Sequence, residues 1–372
     1  ATVHRLLGVI PGSCRFRHDR DNPLPFDVLV VDEASMVALP LMAKLVRALP
    51  DNAKLVLLGD RDQLASVEPG AVLGDISSSG TAPRFSAAFR DYLAAVADSL
   101  PPGEAPDSGL PVLADSLVVL RRNYRFGAGS SIGIVSRAIN EGDRDAVNAA
   151  LADAEEGTVV RRDPPGSEHL QAALQHAVLE EYREYLAHGE SPAGVLTAFD
   201  RFRVLCAVRR GRYGVIALNR AIETLLAAHR LIVPDSTWYH GRPVMVTAND
   251  YTMRLFNGDV GIALPDPEHG GALAVFFPSE DGGVRRISPL RLPSHETAFA
   301  MTIHKSQGSE FDRVLLVIPP VDSQVLTREL LYTGITRARH SVELWCGKDL
   351  LAAAVERRIE RRSGLRRSLW GA

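Results

Sequence analysis

Cysteine is scarce in this chain: Cys14, Cys206 and Cys346 are the only three among 372 residues. They are too few and too far apart for a disulfide framework or for C-x-x-C zinc ligation, and they fit a reducing compartment. Long apolar runs are missing too. Val28 to Val31 and Val314 to Ile318 are typical of what is there, far below the ~20 residues of a membrane span, so a cytoplasmic chain with no membrane contact is expected. The 11 histidines form no H-x-x-x-H pair, which leaves no zinc signature. Neither sign of charge dominates: 42 Lys and Arg against 45 Asp and Glu give −3, so any surface for nucleic acid has to be local. Lysine is limited to Lys44, Lys54, Lys305 and Lys348, and nearly all positive charge is arginine.

What is present is an ordinary globular mixture, 46% hydrophobic and 23% charged, in a chain long enough for two or three domains. The run Phe26-Asp27-Val28-Leu29-Val30-Val31 ends in Asp32-Glu33, the pattern of a buried parallel strand that delivers carboxylates to a sheet edge. Leu41, Met42, Leu45, Val46 and Leu49 follow at helical spacing behind Pro40, which suits a first helical turn. Lys54-Leu55-Val56-Leu57-Leu58-Gly59-Asp60 repeats strand then acid, so Asp32 and Asp60 are expected to end neighbouring parallel strands beside a ligand crevice. Three prolines and two glycines between Ser99 and Gly109 mark an exposed loop. A domain boundary is placed at the basic, aromatic cluster Arg121-Arg122-Asn123-Tyr124-Arg125-Phe126. From Trp238 to Leu292 short β-like runs alternate with Asn257-Gly258, Asp266-Pro267 and Gly270-Gly271, the texture of a small β-barrel inserted into the second domain. The α/β pattern returns from Thr297 onward.

Asp32-Glu33 at a strand end is what a nucleotide hydrolase needs, with Asp holding Mg²⁺ and Glu positioning the attacking water. Alone, the pair reads as readily as a helix N-cap. Gln63 lies where an amide can touch a γ-phosphate or its water; the plainer reading is a polar turn. Arg125 and Arg337 each place a guanidinium on a segment of apolar or small residues, as arginine fingers do, although a single Arg is more often an ion-pair residue. Thr302-Ile303-His304-Lys305-Ser306-Gln307-Gly308-Ser309-Glu310-Phe311 gathers hydroxyls, a His, a Lys and a Gly, suited to gripping a phosphate backbone without reading bases. A lone His304 is more often structural. The arginines between Arg357 and Arg367 default to a solvated helix face.

In their order these segments resemble the superfamily 1 helicases, and within them the RecD family of the RecBCD (exodeoxyribonuclease V) recombination enzyme, over nearly the whole chain. Thr2-Val3-His4-Arg5-Leu6-Leu7-Gly8 is similar to motif Ib, Val30-Val31-Asp32-Glu33-Ala34-Ser35-Met36 to the Walker B motif, and residues 58–76 to an extended motif III. Asn123-Tyr124-Arg125-Phe126 is similar to motif IV, residues 302–311 to motif V, and Tyr332-Thr333-Gly334-Ile335-Thr336-Arg337-Ala338-Arg339 to motif VI.

The resemblance implies an α/β fold with two RecA-like (P-loop NTPase) motor domains, the first incomplete. Residues 1–125 would be the C-terminal part of the first, residues 126–237 and 293–372 the second, and residues 238–292 the inserted β-barrel. It also implies an ATP-dependent 5′–3′ DNA helicase subunit that uses ATP and Mg²⁺, works on single-stranded DNA at a duplex end, and partners RecB-like and RecC-like subunits. By position, Asp32 would hold Mg²⁺, Glu33 would be the catalytic base, Gln63 the γ-phosphate sensor, and Arg125 and Arg337 the arginine fingers. Asp60, Gln307, Gly308 and Glu310 would border the nucleotide. Thr2, His4, Thr302, His304, Lys305 and Ser306 would contact the single-strand backbone.

The family's phosphate-binding loop, G-x-x-x-x-G-K-[ST], is not in this sequence. Only Lys348 follows a glycine, and Gly347-Lys348-Asp349 has neither the hydroxyl nor the earlier glycine. The simplest expectation is a longer protein whose upstream part carries that loop, with this chain inactive alone. The alternative is a non-hydrolysing scaffold or DNA-binding subunit, and a Mg²⁺-dependent nuclease at Asp32, Glu33 and Asp60 ranks below both.

Overall fold

Val and Leu at residues 28–31 and 55–57 build two strands, β1 (Val28–Val31) and β2 (Lys54–Leu57), paired in parallel with Val31 opposite Leu57. The computed structural model describes residues 2–10, 12–65, 70–77, 85–96, 113–120, 129–155, 157–187, 191–279, 281–359 and 364–370. The expected boundary cluster, Arg125 included, and the loop at 99–109 lie outside those residues. The chain divides into two units, Ala1–Asn123 with Ile359–Ala372, and Tyr124–Arg358.

In the first unit, the crossover helix Leu39–Arg47 starts with Pro40 in its first turn and buries Met42 and Leu45, as its apolar spacing requires. One face of the strand pair, Leu29, Val31, Leu55 and Leu57, packs with Leu7, Leu24, Met42, Leu45 and Val72. The other face shows apolar side chains to solvent, with Val28 and Val30 each 55% exposed. The C-terminal helix Leu365–Trp370 belongs to this unit, whereas the sequence expectation assigned everything from 293 to 372 to the second domain. Leu365 packs on the first core, and Trp370 donates its indole N–H to the Asp75 carbonyl at 2.9 Å.

The second unit contributes β3 (Val159–Arg162), β4 (Phe202–Cys206), β5 (Arg242–Val246), β6 (Val260–Pro265), β7 (Leu273–Pro278), β8 (Val284–Ile287), β9 (His295–Thr297), β10 (Ala300–Thr302), β11 (Phe311–Val317) and β12 (Ala338–Trp345). A parallel sheet runs β10-β4-β11-β12-β3. All five residues of β4 are buried, as expected of a parallel strand covered on both faces. The expected α/β class is therefore observed.

The residues expected to form a barrel form an antiparallel sheet ordered β8-β7-β6-β5-β9. Among the described residues no pairing joins β8 to β9, so these two short strands are edges and closure is not seen. The sheet also reaches Thr297, past the expected limit at Leu292, because His295 to Thr297 pair with Val246 to Val244 of β5. Its two faces serve different cores. Ile262, Leu264, Ala274 and Phe276 join the large core of the parallel sheet, while Val244, Val246, Ala263, Val275 and Phe277 pack on Leu255. Period-two alternation thus places apolar groups on both sides.

Candidate nucleotide and nucleic-acid sites

At the first sheet edge, Asp32 leaves β1 exposed and its Oδ1 accepts the Glu33 amide at 2.8 Å. Asp32 Oδ2 has no partner among the described residues. Glu33 adopts φ 50°, a left-handed conformation that is strained for a residue with a long side chain. It is held there because the next amide, Ala34, donates to the Leu58 carbonyl at 2.8 Å, tying the end of β1 to the end of β2. The Glu33 carboxylate is half-buried and unpaired among the described residues.

Gly59 permits this approach. A Cβ at that position would meet Leu73 Cδ2 at 2.8 Å and the Ala34 nitrogen at 3.1 Å, so a larger residue would push the two strand ends apart. Asp60 Oδ1 accepts the Asp62 amide at 3.0 Å and Oδ2 accepts from Gln63 Nε2 at 3.1 Å. That second bond fixes the Gln63 amide, and its Oε1 is buried without a hydrogen-bond partner. A buried acceptor left unpaired is costly, so this oxygen suits a donor such as a bound water. Asp32 and Asp60 therefore follow neighbouring parallel strands, with Glu33 next to the first and Gln63 bonded to the second. Thr2 instead caps the helix Val3–Leu7, accepting the Arg5 amide at 3.3 Å, and exposed His4 leans on Phe16 with ring centroids 5.9 Å apart.

In the second unit the segment 302–311, which reads as one cluster in sequence, is spread along the sheet. Thr302 is level with Cys206 and Val317 at the C-terminal ends of β10, β4 and β11. Glu310 and Arg337 immediately precede Phe311 and Ala338, which face each other at the opposite end. Between these levels β11 rises about 20 Å at ~3.3 Å per residue. Gly308, at φ 78°, makes the turn between them and Gln307 lies half-buried beside it.

At the C-terminal edge, Thr302 caps a short 3-10 helix, Ile303–Ser306, by accepting the Lys305 amide at 3.3 Å. His304 and Lys305 are half-buried on it. Ser306 is a correction to the expectation: it is 0% exposed and donates its hydroxyl to the Ile303 carbonyl at 2.8 Å, so it belongs to the core and is not presented to a backbone. At the N-terminal edge, Arg337 is 2% exposed. Its Nε donates to the Thr333 carbonyl and its Nη1 to the Ser309 carbonyl, both at 3.2 Å. The guanidinium exposed beside it is Arg339, whose Nε bonds Glu310 Oε2 at 3.1 Å.

Sequence reasoning passed over Gly59, whose only signal is its place before Asp60. It also passed over Asn257, which accepts from the Lys305 ammonium, and the ion pair of Arg209 with Glu296. Arg209 comes three residues after the buried strand β4, and a basic run behind an apolar strand was the available cue.

A family model described as an AAA domain matches residues 1–69, and one described as a UvrD-like helicase C-terminal domain matches residues 297–344. The RecBCD enzyme subunit RecD of Mycobacterium tuberculosis (strain ATCC 25618 / H37Rv) is 43% identical over 370 residues, covering 99% of this chain and 57% of the relative. That of Haemophilus influenzae is 36% identical over 385 residues, covering 98% of this chain and 58% of the relative. The chain thus spans less than two thirds of the length of these relatives. Among solved structures, Bacteroides Pif1 bound to ssDNA has a TM-score of 0.46 at 17% identity, covering 94% of this chain and 80% of that one.

Proposed function

The chain belongs to the RecD family of helicase sequences, and from that premise we propose that it is the motor portion of an ATP-dependent DNA helicase subunit in a RecBCD-type recombination and repair complex. In this reading both units are RecA-like, ATP hydrolysis drives 5′–3′ translocation on single-stranded DNA entered at a duplex end, and RecB-like and RecC-like subunits complete the assembly. The observation that carries the proposal is the first sheet edge: among the described residues, a Glu33 carboxylate and an Asp32 oxygen without partners, and a Gln63 amide fixed by Asp60 with its own oxygen unpaired.

That donor set fits a hydrated Mg²⁺ with a nucleotide. Asp32 Oδ2 would hold the metal through water, and the ion, when bound, supplies charge neutralisation on the phosphates. Glu33 takes the proton from the attacking water and orients that water, a task its strained backbone and unpaired carboxylate suit. Gln63 Oε1 accepts the water's second proton as a hydrogen bond, so cleavage and the position of Asp60 are linked. Arg125 and Arg337 are the proposed fingers for the developing phosphate charge. Arg337 is held in readiness by the Thr333 and Ser309 carbonyls and gives up the Ser309 bond to act. Gln307, Gly308 and Glu310 border the nucleotide, and Thr2, His4, Thr302, His304 and Lys305 face the strand.

The test is Glu33→Gln in the complete, reconstituted enzyme. Strand-stimulated ATP turnover is expected to fall by at least about a hundredfold, while binding of single-stranded DNA stays at the unmodified level. Retained turnover would remove Glu33 from the mechanism.

A further inference from the structure

The C-terminal edge of the parallel sheet carries a cationic group outside every motif used so far. Beyond β4 the chain turns through Arg209, Arg210, Gly211 and Arg212 into the helix Val215–Ala228. All three arginines are exposed. The turn is fixed: Val215 and Ile216 donate their amides to the carbonyls of Val208 and Arg209, each at 3.2 Å. A Cβ on Gly214 would strike the Arg210 carbonyl oxygen at 2.6 Å, so the tight path depends on glycine. Arg210 and Arg212 meet no carboxylate among the described residues.

Arg209 does. Its Nη1 donates to Glu296 Oε1 at 3.0 Å and its Nη2 lies 2.6 Å from Glu296 Oε2, the parallel two-bond fork that a guanidinium also makes with a phosphate. Glu296 is on β9 and Lys305 follows β10. Lys305 donates its ammonium to Asn257 Oδ1, and Asn257 is itself held by its backbone N–H donating to Asn249 Oδ1 at 2.8 Å. Burial holds Lys305 below the usual lysine range, with Glu296 opposing that shift and Arg209 adding to it. Arg209 and Lys305 each lie three residues beyond the paired strand ends Cys206 and Thr302, so the two cations stand at one edge, where Arg209 is held by Glu296 and Lys305 by Asn257.

We propose that Arg209 and Lys305 form a seat for one backbone phosphate of single-stranded DNA, and that Glu296 occupies the Arg209 fork as an internal anion until the strand displaces it. This rests on the reading of the chain as a single-strand motor and adds to it a contact residue, Arg209, and a competitor, Glu296. The antiparallel sheet thereby acts on DNA binding, because it supplies both Glu296 and the Asn257 amide that positions Lys305. Glu296 keeps the seat from holding a phosphate permanently, which a translocating site needs in order to release each nucleotide.

The experiment is fluorescence anisotropy of a labelled oligothymidylate with the full chain across a salt series, with thermal melts as a folding check. Arg209→Gln is expected to weaken binding about tenfold and to make the log–log salt slope shallower by about 0.7, the loss of one single-strand phosphate contact. Glu296→Gln, which keeps shape and removes the competing charge, is expected to tighten binding about fivefold. The double variant is expected to match Arg209→Gln alone, since Glu296 acts through Arg209. Unchanged affinity in Arg209→Gln, or weaker binding in Glu296→Gln with an unchanged melt, would overturn the seat while leaving the motor reading intact. No binding by the unmodified chain would overturn both.

Discussion

A single residue, Arg203, shows how far side-chain identity departs from what its neighbours announce. It lies in β4 between Phe202 and Val204 and is 1% exposed. Its guanidinium sits 3.7 Å from the Phe199 ring centroid and 4.9 Å from that of Phe311. Nη2 donates to Asp200 Oδ1 at 2.9 Å and Nη1 to the Ala298 carbonyl at 3.2 Å. Burial lowers its pKa, and Asp200 is the main opposing influence. The Asp200 side chain is 57% exposed and returns to water if Arg203 is lost, so the cost of truncation lies in the cavity left beside the two phenyl rings and in the stranded Ala298 carbonyl. Arg203→Ala should therefore lower unfolding stability by about 2–5 kcal/mol in urea titrations, and Arg203→Met should recover much of that by refilling the volume. An alanine variant as stable as the parent would show that the buried cation carries no structural weight. Nothing in the sequence marks Arg203 as buried, just as nothing marked Ser306 as core. A polar residue inside an apolar run can face either way, and only the packing decides.

One element, the helix Leu170–Ala187, joins the two sheets of the second unit. It buries Leu170, Leu174, Val178, Leu179, Tyr182 and Tyr185. Tyr182 donates its hydroxyl to the Phe299 carbonyl, and Tyr185 donates to the Gly241 carbonyl at 2.6 Å. Those carbonyls stand just after β9 and just before β5, where the chain leaves and enters the antiparallel sheet. Each Tyr→Phe change keeps the ring and strands a buried carbonyl, at a cost of about 1–3 kcal/mol, readable as a shifted urea midpoint. Burial also raises both phenol pKa values. The sign follows: a raised folded value contributes stability below the ordinary tyrosine pKa of about 10, and that stability is lost as pH rises above it, because only the unfolded chain can ionise. Stability should fall above about pH 10, less steeply in the double Phe variant; equal slopes would mean that these phenols are not the groups responsible. The strand-rich texture of residues 238–292 was legible from its turns. The tyrosine anchors were not, since they bond carbonyls 56 and 117 residues further along the chain, and neither was the burial of both sheet faces, which rests on two separate cores.

For the whole molecule, order along the chain made the acids of β1 and β2 legible, because a strand followed by a carboxylate fixes the edge where the charge emerges. The return of Leu365–Trp370 to the first unit was not legible, since Trp370 meets Asp75 across 295 residues of sequence. That unit has a further property that belongs to no single element. In the β1–β2 register, Val28 and Val30 share the outer face with Val56, which is 40% exposed, and Leu58, which is 46% exposed. Paired strands with an uncovered apolar face and free backbone edges favour association. The chain is expected to self-associate at micromolar concentrations, detected as concentration-dependent light scattering. Val30→Lys with Val56→Glu places opposite charges on register-paired positions of that face, which adds a cross-strand attraction and makes the surface polar. This variant should remain monomeric while the melting transition of the second unit is unchanged. Equal scattering by the variant would mean that association runs through another surface, and a monomeric parent would mean that the exposed valines are tolerated as they stand.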